Sequence, residues 1–178
     1  MRIVYDFEFI EDGKTISPVS LGAAADDGRE LYAVFAELDE TAMVMDPWLS
    51  KHVWPKLPLT ACPTGHRCLT RGRGHLDRDD PDVRSTAQIA RMWSQFIADT
   101  PAPTLWADHA AYDHVTQAQL FGRMVDRPPH IPMYTNEIQQ EADRHPRLVL
   151  PEMARGTAHH ALNDARHGLE ILRRIDAL

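Results

Sequence analysis

Three runs near the start of the chain are dominated by apolar residues, with β-branched or aromatic side chains recurring: IVYDFEFI at 3–10, ISPVSLGAAA at 16–25 and LYAVFAEL at 31–38. They are separated by EDGK and DDGR, polar segments whose glycine suits a tight hairpin turn, so an antiparallel meander is predicted. The pattern then changes to a helix around DPWLSKHVW, with Asp46 as cap, Pro47 at the first helical position and an end near Pro55. Residues 58–84 carry Pro, Gly, Arg and Asp with little periodicity and read as a long loop or local insertion. Helical spacing resumes in STAQIARMWSQFIADT, where Ile89, Met92, Trp93 and Phe96 share a face and Ser85 is placed to cap. TLWA at 104–107 is the next strand, and AAYDHVTQAQLFG is a helix closed by Gly122. A Pro-rich connection leads to a short helix near TNEIQQEAD and a last one from about 160 to 176.

Three antiparallel strands followed by helix, strand, helix and a terminal helix predict an α/β fold, a mixed sheet with helices packed on it. The length of 178 residues fits one domain over 1–178, with 58–84 as an insertion, and apolar (43%) and charged (25%) fractions are those of an ordinary globule. No apolar run approaches the roughly 18 residues of a membrane span, and MRIVYDFEF lacks the features of a signal peptide, so the cytoplasm is the expected location. Cys62 and Cys68 are too few for a disulfide framework, in keeping with a reducing compartment. A net charge of −7 argues against coating duplex nucleic acid by counterion release, yet leaves room for a short strand at a pocket where divalent cations offset the acids.

Asp6 and Glu8 stand on either side of Phe7 inside the first apolar run, and a strand would put both carboxylates on one face. Side by side, each raises the cost of ionising the other unless a cation lies between them. Asp113 falls in the first turn of the helix after the fourth strand and Asp164 on the last helix, so four carboxylates from three elements can meet at one end of the sheet. Singly these signals are weak: His75 and Asp80 repeat the spacing of His159 and Asp164 by chance. Their weight comes from chain order, predicted elements and the apolar setting of the first pair.

In chain order, Asp6-Phe-Glu8, Tyr112-Asp113 and His159-His-Ala-Leu-Asn-Asp164 resemble the three exonuclease motifs of the DEDDh superfamily of 3′-to-5′ exonucleases. The strings DFEFIEDG, AAYDHVTQAQLFG and HHALNDAR are most similar to a small actinobacterial and phage group of exoribonucleases within it, over most of the chain except 58–84. The resemblance implies an RNase H-like fold with a five-stranded mixed sheet. It implies metal-dependent hydrolysis of single-stranded RNA or short oligoribonucleotides from the 3′ end, releasing nucleoside 5′-monophosphates. Asp6, Glu8, Asp113 and Asp164 would hold two Mg²⁺ or Mn²⁺ ions, with Asp6 bridging, Glu8 and Asp164 on the ion carrying the attacking water, and Asp113 beside the leaving oxygen. Hard divalent ions suit such carboxylate donors, and a pair of them stabilises both oxygens of a phosphodiester displacement. A 3′-to-5′ DNA exonuclease and a non-hydrolytic RNase H-like binding module are the alternative readings, and the full set of four acids and a histidine favours an enzyme. Members of the superfamily include homodimers, a state that composition does not decide.

Histidine suits the base, since its pKa near 6.5 leaves it largely neutral at cellular pH. On a helix His160 shares a face with Asp164, four residues on, whereas His159 lies about 140° away. The motif nevertheless matches His159, which fits if that residue stands at the loop-to-helix junction. Candidate substrate contacts are Ile10, on the face of Glu8, Trp106 and Tyr112 as stacking surfaces, and His109, which occupies the place of an Asn in many relatives; plain core or surface roles compete for each. Arg144, Arg147 and Arg155 precede the third motif and offer phosphate contacts or a solvated loop. Cys62, His66, Cys68 and His75 are zinc-ligand types without the close C-x2-C clip; a mobile mixed-charge loop, with Arg67, Arg71 and Arg73 reaching substrate, is the competing expectation.

Overall fold

The computed structural model describes residues 1–62, 68, 70 and 72–178. Alternating burial sets the first strand: in β1 (Arg2–Glu11) Ile3, Tyr5 and Phe7 turn to one side and Val4, Asp6 and Glu8 to the other. β2 (Ile16–Ala25) and β3 (Glu30–Phe35) continue antiparallel through the two predicted hairpins, whose Gly13 and Gly28 take positive φ. The β1–β2 register shifts between Glu8 and Phe9, leaving Val19 as the extra residue of a bulge beside the carboxylates.

Two short helices follow, α1 (Glu40–Met45) and α2 (Pro47–His52). The second is the predicted one, with the Asp46 carboxylate accepting from the N–H groups of Trp48 and Leu49, both at 2.8 Å, and a 3₁₀ turn at Trp54–Lys56 ending it. α1, capped by Asp39, has no counterpart in the sequence reading, because six residues give too little periodicity. The segment read as a loop holds three two-residue strands: β4 (Leu59–Thr60) and β5 (His75–Leu76) form a ribbon, and β6 (Val83–Arg84) joins β3 in parallel. His66, Arg67 and Arg71 of that segment lie outside the described residues. Cys62 and Cys68, too few for a framework, are nonetheless joined as one disulfide.

α3 (Thr86–Ala98) starts in a capping box of Ser85 and Gln88, then come β7 (Thr104–Ala107), α4 (Ala110–Gln119), β8 (Asn136–Glu137), α5 (Ile138–Asp143) and α6 (Ala161–Asp176). The main sheet runs β6-β3-β2-β1-β7-β8, with parallel pairing at both ends and the antiparallel meander inside. It is the mixed α/β sheet expected, with six strands rather than five. The added edges are two-residue strands, too short to alternate visibly.

One face buries Ile3, Tyr5, Phe7, Leu21 and Phe35 against Ile89, Trp93 and Ile97 of α3. The other receives α6, whose Ala165, Leu169 and Leu172 pack on Val4 and Ala24. Contact there is close because Gly22 lies opposite Asp6 on the neighbouring strand: a Cβ at residue 22 would come within 2.1 Å of the Ala161 carbonyl carbon and the Leu162 nitrogen. Among the described residues no helix is long and apolar enough to cross a membrane.

Gly22→Ala is expected to force the first turn of α6 off the sheet and cost about 3 kcal/mol, the upper end of ordinary overpacking, read as a lowered urea midpoint. A variant as stable as the parent would show that α6 does not rest on residue 22.

Candidate active site

β1 outruns its parallel neighbour. Pairing with β7 covers only Arg2 to Val4, so the next residues of β1 carry Asp6 and Glu8 beyond the end of β7 on the face that α6 covers. Asp113, in the first turn of α4, fills the open edge: its buried carboxylate accepts the Phe7 N–H at 2.7 Å. From the opposite side α6 brings in Asp164 one turn after its N-terminus.

One oxygen each of Asp6, Glu8 and Asp164 lies within 4.8 Å of the others, while Asp113 stands outside that trio, at the strand edge on the Phe7 N–H. The trio lines a cavity of about 270 Å³ with Asp108, His109, Met153 and His159. Among the described residues no side chain or backbone group donates a hydrogen bond to Asp6 or Glu8, although Glu8 is buried and Asp6 half-buried. Burial raises the pKa of Asp6 well above the carboxylate range, helped by the charges of Asp113, Glu8, Asp164 and Asp108. Burial, then Asp164, lifts Glu8 to about 7. Asp113 is pushed to about 8 by burial against the opposing effect of the Phe7 N–H, and Asp164 to about 6 by burial against the His160 N–H. Acids so placed favour either a proton or a cation. The donor set, all carboxylate oxygen and short of protein partners, fits a hard divalent ion.

The adjacent histidines separate cleanly. His159 sits at the junction just before α6 with left-handed backbone (φ 63°), and its ring borders the carboxylate cavity. Trp48 and His52 meet that ring edge-on, with centroids at 4.8 and 5.5 Å. The Lys56 ammonium donates to the Gly156 carbonyl, tethering the loop that leads to it. Burial, then the Lys56 charge, lowers the His159 pKa, which favours the neutral imidazole. His160 turns away and stacks on Tyr32, ring centroids 4.3 Å apart. Its backbone, not its ring, meets Asp164: the N–H donates to Oδ2 at 3.0 Å. The four-residue spacing that pointed to His160 thus describes a backbone cap.

Of the four anticipated substrate contacts, only His109 lines the cavity, on a left-handed backbone whose N–H donates to Glu137. Ile10 is half-buried against the core cluster around Val19 and Val34. Tyr112 stacks on Phe9 at 5.8 Å and is exposed on its outer side. Trp106 packs beside Val4 and Ala165 on the same face of the sheet as the acids, but it is paired with Val4, short of Asp6 and Glu8 along the strands, and opens onto a separate cleft of about 500 Å³. Arg144 borders that second cleft, Arg147 lines another beside Ile175 and Leu178, and Arg155 is exposed. Of the sulfur-rich cluster, Cys62, Cys68 and His75 converge.

Asp108, Trp48 and Lys56 were missed. Asp108 had a signal, since it directly follows a strand that ends at the site; Trp48 and Lys56 arrive from the α2 region, and no spacing links them to the motifs.

No family model matches the chain. Two curated proteins of Mycobacterium tuberculosis do, the 3′-5′ exoribonuclease MT2234.1 of strain CDC 1551 and the 3′-5′ exoribonuclease Rv2179c of strain H37Rv. Each is 38% identical to this chain over 177 residues, covering 98% of this chain and 93% of the relative. At that identity over nearly the full length of both sequences, the chain belongs to the family of these 3′-5′ exoribonucleases.

Proposed function

We propose that the chain is a metal-dependent 3′-to-5′ exoribonuclease of the DEDDh type on an RNase H-like sheet, acting on single-stranded RNA. The observation that carries this reading is the meeting of Asp6 and Glu8 from β1 with Asp164 from α6, with His159 at the rim of the same cavity. The names of the mycobacterial relatives support the direction of degradation and the choice of RNA.

Asp6, Glu8 and Asp164 would hold two Mg²⁺ or Mn²⁺ ions, with Asp113 contributing from the strand edge. Divalent ions bound there supply charge stabilisation to the attacking and leaving oxygens of the phosphodiester. His159, neutral near pH 7, takes a proton from the attacking water. Water oxygen bonds to phosphorus as the bond to the penultimate 3′ oxygen breaks, giving a nucleoside 5′-monophosphate and a chain one residue shorter. The acids that raise one another's pKa exclude a second anion from the cavity unless cations are present, which ties substrate phosphate entry to metal loading. Asp113 positions the strand as well, through the Phe7 N–H.

Degradation of a 5′-labelled RNA strand should shorten it from the 3′ end and stop with chelator. Asp164→Asn, which keeps an acceptor for the His160 N–H, should fold normally and lose activity; equal degradation by the variant and the parent would overturn the assignment. His159→Ala is expected to lower kcat by about 10² to 10⁴, the ordinary worth of a general base, with metal binding retained.

Stability should report the acids directly. Their folded pKa values lie above the unfolded ones, so the folded state holds more protons between about pH 4 and 8 and its stability falls as pH rises through that window. In chelator the melting temperature should therefore drop from pH 5 to pH 8, and Mg²⁺ or Mn²⁺ should restore it at the upper end. A flat profile unaffected by either ion would refute a buried cation site. Asp113→Ala should lose about 1 to 3 kcal/mol by leaving the Phe7 N–H unpaired, whereas Asp113→Asn should retain stability and lose turnover.

A further inference from the structure

The β4–β5 ribbon carries a second cluster of metal-ligand types, formed by none of the residues used above. Thr60 pairs with His75 across the ribbon, which sets Cys62, two residues on, against the imidazole. Cys68 returns to the same point, held by Thr70 Oγ1 at 2.8 Å, and one atom each of Cys62, Cys68 and His75 lies within 4.8 Å of the others. His75 Nε2 is 3.5 Å from the Cys68 sulfur.

The imidazole is held in a particular sense. Its Nδ1 meets the Glu40 carboxylate at 3.1 Å, and Glu40 is itself fixed by the Leu76 N–H at 3.3 Å and by Arg78 at 3.1 Å. A proton on Nδ1 leaves the Nε2 lone pair facing the sulfurs, the tautomer that a metal-ligating histidine needs, with the carboxylate behind it that such ligands commonly have. The disulfide alone calls for neither the imidazole nor its carboxylate. Two two-residue strands are also too short to hold a ribbon by pairing, so a staple at this point has structural value.

We propose that the dithiol form of Cys62 and Cys68, with His75, binds a zinc ion, and that Glu40 is the positioning residue for His75. Two thiolates and an imidazole are soft and borderline donors that select Zn²⁺ over the hard ions suited to the carboxylate site. The dithiol differs from the disulfide by two electrons and two protons; a phosphine with water supplies both and becomes the phosphine oxide. Zinc then displaces the two thiol protons, so ion and disulfide are alternative staples of one ribbon.

The test uses the full chain, reduced with a phosphine and titrated anaerobically with Co²⁺. A thiolate-to-cobalt charge-transfer band saturating at one ion per chain, and abolished by Zn²⁺, is expected; cobalt on carboxylates gives no such band, so the two sites are told apart. Asp164→Asn should keep the band, and Cys62→Ser and Cys68→Ser should lose it. Glu40→Gln should weaken Zn²⁺ affinity about tenfold to hundredfold. Alkylation of the unsubstituted reduced chain needs no variant, and Zn²⁺ should slow modification of both cysteines together. A disulfide that resists the phosphine, a reduced chain without the band, or alkylation at equal rates with and without Zn²⁺ would each overturn the proposal.

Discussion

The absence of a side chain at position 22 governs the architecture of the site. The first turn of α6 lies against β2 at a distance that no β-carbon would allow, and that turn holds the His160 N–H that fixes Asp164. Moved outward by a methyl group, Asp164 would leave the reach of Asp6 and Glu8, which a strand alone can only present to solvent. A second close approach, of Gly168 to Val4 and Ile138, keeps the middle of the same helix down. Backbone proximity therefore precedes chemistry: helix and strand must nearly touch before three acids can share a cavity.

That proximity creates an electrostatic problem as it solves a geometric one. Glu8 and Asp113 are buried, Asp6 and Asp164 half-buried, and each is held above its ordinary pKa chiefly by desolvation. Asp164 and Asp113 have backbone donors that partly relieve them, while Asp6 and Glu8 depend on what enters from solvent. The neutral state favoured for His159 belongs to the same balance, since Lys56 stands close enough to oppose a second positive charge.

Much of this was legible in the chain. Asp6 and Glu8 sit in the sheet interior as the alternation of the first run requires, and Asp46, Ser85 and the strand at 104–107 fall where capping and periodicity place them. What escaped was either too short to be periodic or dependent on tertiary contact. Two-residue strands, the six-residue α1 and the ribbon within 58–84 carry no repeating signal. Trp106 shares the face of the acids, paired with Val4, but pattern does not tell how far along the sheet a site extends, and the indole lines a neighbouring cleft instead of the carboxylate cavity. That His159 and not His160 borders the carboxylate cavity depends on a left-handed residue at a helix entrance, which no spacing rule describes.

In the proposed mechanism Asp113 has two employments, and they are separable. Its carboxylate closes the strand edge where β7 stops short, so a descendant of this chain that no longer cut RNA would still have reason to keep an acceptor there. Asp6 and Glu8 have no such second occupation. Across a lineage drifting away from hydrolysis, the first run would lose its acids early and the edge aspartate late, making the former the more telling sign of a working enzyme.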